Sequence, residues 1–379
     1  MRKDYLLTPG PSAVPADVLL SMAHPIFHHR TSRFQAVLKE TLARSRRVLM
    51  TENPVAIMAS SGTGAMEAAV ANLASPGRRA LTLEGGKFGE RWGELCDAFG
   101  FEHEAIKVEW GRAVDPGIVE EKLAADNSIA AVFATQCETS TGVLNDIEAL
   151  GKIVSKTKAV LVVDAVSSAG ACELRTDDWN VDVVCVGSQK GLMLPPGLGM
   201  ISVSPKARAL VEATENRRAY YFDLVKAMKS AAKDDTPYTP AIALVIGLNE
   251  ALKMIEEEGL EECFARHRLL SKAVRAGLEA LGLELFAERP SESVTSVRLP
   301  EGLDGAALVK TLRDVEGVAF AGGQAALKGR IMRIATMGYC GKYDVILGLG
   351  ALEMALAKAG IDIELGAGVR AAEEVFLKG

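Results

Sequence analysis

Through the first two thirds of the chain, short apolar runs alternate with longer stretches of helical periodicity. Val55-Ala56-Ile57-Met58-Ala59 reads as a buried strand and is followed by a helix over roughly Gly64 to Leu73. Arg79 to Leu83, Ile129 to Ala134, Ala159 to Val163 and Asp182 to Val186 read as further strands. Most of these runs are continuously apolar, the pattern of strands covered on both faces. A mainly parallel sheet between helices is therefore expected, an α/β fold. After Thr239-Pro240 comes a long helical stretch with Leu244, Leu248, Ala251, Leu252 and Ile255 at helical spacing. Beyond it the grain changes. Ser293 to Leu299 alternates like a strand with unlike faces, and helices near Ala306 to Arg313 and Lys342 to Lys358 enclose a strand near Arg330 to Ala335. The pattern predicts an N-terminal segment over 1–20, a large domain over 21–254 and a smaller α+β domain over 255–379. There is no low-complexity stretch and no fixed-period repeat.

Composition agrees with two cores. At 379 residues the chain exceeds one ordinary core, and 49% apolar residues are ample to fill two. A net charge of -6, without a basic stripe, excludes nucleic acid as an expected partner. No apolar run approaches membrane-spanning length, and the N-terminal residues do not read as a signal h-region, so a soluble cytoplasmic protein is expected. The six cysteines, at 96, 137, 172, 185, 263 and 340, form no C-x-x-C pair. They read as free buried thiols. The five histidines lack metal-ligand spacing, and no metal is expected.

Three segments carry candidate chemistry. Ser60-Ser61-Gly62-Thr63-Gly64 follows a strand and opens a helix, where backbone N–H groups and the helix dipole suit a phosphate. Alone it is equally a simple strand-to-helix turn. Leu161-Val162-Val163-Asp164 ends an apolar strand on a carboxylate, at the end of the strand where open α/β sheets hold ligands. Alone that residue is as readily a helix cap. Val186-Gly187-Ser188-Gln189-Lys190 delivers a lysine at the end of another buried strand, and a buried lysine with a lowered pKa is an imine-forming nucleophile. Together, a phosphate seat, a carboxylate for a ring nitrogen and such a lysine are what pyridoxal phosphate requires.

The stretch from Val181 through Gly187-Ser188-Gln189-Lys190 to Gly197-Leu198-Gly199-Met200-Ile201, with Asp164 upstream, resembles the class V aminotransferases of fold type I. The similarity covers nearly the whole chain and is strongest to the branch of alanine–glyoxylate and serine–glyoxylate or serine–pyruvate enzymes. It implies that Lys190 holds pyridoxal phosphate and that Asp164 faces the ring nitrogen. It also implies that Ser61, Gly62 and Thr63 hold the phosphate beside Gln189, that Phe88 and Val166 cover the two ring faces, and that Thr139 lies beside ring and substrate. Arg333, interrupting an apolar strand, would clamp the substrate carboxylate, and Gly10 would lie near the substrate. Thr239, with Thr236 as a weaker match, would cross to the phosphate of a partner subunit, making the enzyme a homodimer with shared sites. Arg30 and the pair His28-His29 are left without a role. The implied reaction is a ping-pong transamination between alanine or serine and glyoxylate or pyruvate. A lyase or desulfurase reaction is the alternative within the fold, but Gln189 stands where desulfurases carry His, and Cys340 follows Arg333 instead of preceding it. A noncatalytic, hydrogenase-associated subunit is the alternative outside it.

Overall fold

The computed structural model describes residues 3–215 and 217–379. Seven strands make the central sheet: β1 (Val55–Ala59), β2 (Arg79–Glu84), β3 (Glu102–Lys107), β4 (Ile129–Thr135), β5 (Val160–Asp164), β6 (Val183–Gly187) and β7 (Leu198–Val203). Their spatial order is β1-β7-β6-β5-β4-β2-β3, and only β7 runs against its neighbours. Every residue of β5 and β6 is buried, as continuous apolar runs predict. The sequence pattern does not reveal β3 or β7. The first is a polar edge strand, Glu-His-Glu-Ala-Ile-Lys, and the second starts directly out of the Pro195-Pro196-Gly197 turn.

Helices α1 (Ala16–Met22), α2 (Ser32–Val48), α3 (Gly62–Leu73) and α4 (Lys87–Phe99) flank this sheet. α3 starts two residues before the expected Gly64 and is apolar nearly all round, so it lies buried against β6 and β7. α4 buries one stripe, Gly89, Trp92, Gly93 and Cys96, and stops at Gly100, whose left-handed φ of 66° suits a residue without a Cβ. Trp92 is fully buried and stacks on Phe133 at 4.8 Å between centroids.

α5 (Ile242–Glu258) packs on α1 and α2, whereas α6 (Leu260–Ala280) packs on the C-terminal helices α7 (Lys342–Lys358) and α8 (Ala367–Lys378). The turn between α5 and α6 is a single residue, Gly259. A second core follows, built on the antiparallel strands β8 (Val294–Arg298), β9 (Ala321–Gly322) and β10 (Ile331–Ala335), in the order β8-β10-β9. Leu270, Leu278, Val297, Met332 and Leu352 meet there. The expected helix at 306–313 spans Gly305–Thr311 and continues as a wider turn to Glu316.

The N-terminal segment joins the two cores. Tyr5–Leu6 pairs in parallel with Val318–Ala319, the Leu7 carbonyl accepts from Ala335, and Ser12 N–H donates to the Gln189 carbonyl at 3.1 Å. Residues 8–12 are thereby laid across the carboxyl ends of the central strands.

Candidate active site

β5 and β6 are neighbours, so the residues that follow them share one end of the sheet. Asp164, the last residue of β5, is 4% exposed, and its Oδ1 accepts from the Val166 N–H at 2.8 Å. Burial raises its pKa to about 6, helped by the charge of Glu138 and opposed by the Val166 amide and Lys190. Lys190, three residues past β6, donates its ammonium to the Pro9 carbonyl. Burial lowers its pKa to about 8, against the pull of Asp164. Gly10, at φ 121°, packs so closely that a Cβ there would lie 2.6 Å from Cε and Nζ of Lys190. Ser12 Oγ donates to the Lys190 carbonyl at 2.7 Å.

The start of α3 faces the same place. Ser61 is its N-cap but makes no side-chain cap bond, leaving the first amides of the helix open. Gly62 lies against Val166, where a Cβ would stand 2.4 Å from Cγ2, and Gln189 Oε1 is buried without a hydrogen-bond partner. Phe88 sits in the first turn of α4. The Arg91 guanidinium lies 4.9 Å from its ring centroid and donates to Thr63 Oγ1 at 3.0 Å.

The third wall comes from the second core. Arg333 is 5% exposed in the middle of β10, and no carboxylate among the described residues forms an ion pair with it. Nε and Nη2 donate to the Gly322 carbonyl at 3.0 and 2.7 Å, and Nη1 donates to the Thr139 carbonyl at 2.9 Å. Each terminal nitrogen keeps one hydrogen free, which suits a bidentate carboxylate. Burial brings the guanidinium down to about 10, so it stays charged near neutrality. Thr139 Oγ1 is hydrogen-bonded to Ser167 Oγ at 2.6 Å.

Thr236 and Thr239 stand apart from this group. Thr236 Oγ1 donates to the Tyr238 carbonyl at 2.7 Å, and the Thr236 carbonyl accepts from Arg30, which also pairs with Asp235. Sequence reasoning missed Glu138, Arg91 and the Pro9 carbonyl. Glu138 directly precedes Thr139 and Arg91 follows Phe88 by three residues, but neither stands in an apolar run that would set it apart.

These residues fit pyridoxal phosphate. The uncapped start of α3 leaves helix amides open where an anion would be held, no cation among the described residues forms an ion pair with the buried Asp164, and burial brings the lysine amine down to about 8.

Comparison with known proteins agrees. The model of the family "Aminotransferase class-V" matches residues 5–341. The chain is 43% identical to a protein of a Synechococcus species named as the small subunit of a soluble hydrogenase, covering 99% of this chain and 98% of that one. It is 38% identical to L-aspartate–glyoxylate aminotransferase of Paracoccus denitrificans, over 98% and 96% of the two chains. The crystal structure of ureidoglycine–glyoxylate aminotransferase from Bacillus subtilis superposes with a TM-score of 0.96 at 30% identity, covering 100% of this chain and 99% of that one. The chain thus belongs to the class V aminotransferases of fold type I, which use pyridoxal phosphate to move an amino group between an amino acid and a 2-oxo acid.

Proposed function

We propose that this enzyme transfers the amino group of a small amino acid, alanine or serine, to glyoxylate or pyruvate. The observation that carries the reading is Arg333, a buried guanidinium without an ion-paired carboxylate, close enough to Lys190 to act on its charge, as Asp164 also is. Glyoxylate as acceptor is supported by the names of two of the similar proteins. A small donor is supported by the likeness to proteins named serine–glyoxylate aminotransferase.

In this reading Ser61, Gly62, Thr63 and Gln189 hold the phosphate, and Phe88 and Val166 cover the ring. Asp164 keeps the ring nitrogen protonated through its charge. The bound cofactor supplies a ring that draws electrons from the substrate α-carbon. Lys190 would hold the cofactor, and its free amine would take the proton from the substrate α-carbon and return it as general base and acid. Pro9 and Gly10 close one side of the lysine and limit its swing. Arg333 and Thr139 orient the substrate, and two half-reactions of this kind give ping-pong kinetics.

Desulfuration is disfavoured by Cys340, whose thiol burial pushes up to about 12, leaving little thiolate. A purely structural subunit would not need this set of buried charges. The test is a screen of alanine, serine and aspartate as donors against glyoxylate, pyruvate and 2-oxoglutarate. Faster turnover of aspartate than of alanine and serine would overturn the donor assignment.

No helix among the described residues is long and apolar enough to cross a membrane. We further propose a cytoplasmic homodimer in which Thr239, and less directly Thr236, reach the partner's phosphate. Tyr220 and Tyr221 are exposed and stack on Tyr238 beside Thr239, an aromatic patch suited to burial by a second copy. Mixing Lys190→Ala with Thr239→Arg protein places both lesions in one site of each heterodimer. Activity returns if sites are shared; its absence after proven subunit exchange refutes sharing.

A further inference from the structure

One buried carboxylate takes no part in this reading. Glu138 closes the short strand Cys137–Glu138 and is 2% exposed, with its side chain turned toward the start of α4. Oε2 accepts from the Gly89 and Phe88 N–H groups at 2.8 and 3.1 Å, and Oε1 accepts from the Ser140 N–H at 3.1 Å and the Ser140 hydroxyl at 2.5 Å. Ser140 Oγ accepts from the Lys87 N–H at 3.0 Å. The first three amides of α4 therefore find their acceptors on another element, since the N-cap, Gly86, has no side chain to offer. Gly86 also makes room for them: a Cβ there would lie 2.5 Å from Cγ and Cδ of Glu138. A negative charge at this end of the helix meets its dipole favourably. Burial raises the Glu138 pKa, and the helix amides and Ser140 oppose that rise.

The next residue reaches the other wall of the site, because the Thr139 carbonyl holds Arg333. One turn thus touches both the helix that carries Phe88 and the arginine of the second core. We propose that Glu138 is a positioning residue for the reaction: by holding the first turn of α4 it fixes Phe88 against the cofactor ring. The proposal rests on the reading of Phe88 as the stacking aromatic. The direction of a side chain in a first helical turn follows that turn, so a loosened turn tilts the ring.

Glu138→Gln keeps the volume but sets an NH2 group against amide donors. Three measurements decide: hydrogen exchange of the amides of residues 87–89 in cofactor-free protein, the dissociation constant for pyridoxal phosphate, and the same constant in the Phe88→Ala background. Protection at Phe88 and Gly89 should fall about ten- to a hundredfold, and the dissociation constant should rise roughly tenfold, the usual scale for losing bonds to a charged acceptor. With Phe88 already removed, the added change should shrink to about twofold or less, as expected of residues acting as one unit. Unchanged protection overturns the proposal. So does an equal loss of affinity in both backgrounds, since the carboxylate would then act otherwise than through Phe88. If Phe88→Ala alone leaves affinity intact, the stacking assignment fails and the proposal with it, and the exchange data show whether the tie to α4 itself holds. Should Glu138→Gln not fold, Ser140→Ala removes the hydroxyl shared by Lys87 and Oε1 and decides by the same measures, with smaller changes of the same sign.

Discussion

Two buried cations approach one another from different cores, and they are held in opposite ways. Lys190 stands beyond the end of a parallel strand with a single hydrogen bond to a backbone carbonyl, and burial takes it to about 8, within reach of its neutral form. Arg333 sits mid-strand in an antiparallel sheet with three hydrogen bonds to two carbonyls, and at about 10 it stays charged. A lysine with one partner can give up its proton and swing; a planar guanidinium held on two sides can do neither. The first arrangement suits a nucleophile and proton carrier, the second a fixed seat for a carboxylate. The division of labour follows from solvation and hydrogen bonding more than from net charge.

The largest expected effect comes from removing the mobile cation. Lys190→Ala should still fold, because the side chain makes one hydrogen bond, and should still bind pyridoxal phosphate noncovalently. Turnover should fall by about four decades, the upper range of general acid–base catalysis. Borohydride-sensitive visible absorbance persisting in this variant would show that another amine holds the cofactor.

Removing the fixed cation should act on substrate and leave the cofactor in place. Losing one member of a buried, hydrogen-bonded charge pair costs about 3–5 kcal/mol, or roughly two to four decades in kcat/KM. Arg333→Ala should penalise alanine and serine alike and shrink the preference for acids over decarboxylated amines, while Arg333→Lys restores only part, lacking the planar fork. A changed alanine-to-serine ratio with amines still rejected would place the clamp elsewhere. Asp164→Asn is the next step down. It retains shape and cofactor and should slow turnover by about two to three decades, the scale of a lost electrostatic contact in a dry site; unchanged kcat would make the carboxylate structural.

The same contrast explains what the sequence disclosed. Lys190, Asp164 and Gly62 each end or begin an element, so a local pattern of apolar run followed by one unlike residue exposes them. Arg333 was visible as a charge inside an apolar strand. Glu138 and Arg91 were not read, because they have partners on other elements: Glu138 is 49 or 50 positions from the α4 amides it holds, and Arg91 is 28 from Thr63. The Pro9 carbonyl carries no signal at all, since its role depends on the chain returning Lys190 to it from 181 positions away. Strand β7 was hidden by a turn whose two prolines and glycine read as loop, and polar β3 by its place at the sheet edge.

The smallest expected effect separates the two cations most finely. In the proposed reading, covalent capture of pyridoxal phosphate needs the neutral Lys190 amine, and with a pKa of about 8 it is neutral in about one molecule in ten at pH 7. An ordinary lysine would be neutral in roughly one in three thousand. The capture rate of the apoprotein should therefore climb about tenfold per pH unit below the inflection and level off above it. Two neighbours move that inflection in opposite directions. Arg333 disfavours the ammonium, so Arg333→Ala should shift it upward; Asp164 favours the ammonium, so Asp164→Asn should shift it downward. Both shifts should be under about one pH unit, because burial is the larger cause. Stopped-flow capture at constant ionic strength reads all three proteins. A rate still climbing at pH 10 in the wild type would mean that Lys190 is solvated as an ordinary lysine. Shifts of the same sign in the two variants would mean that the arginine and the aspartate do not act on it as separate charges.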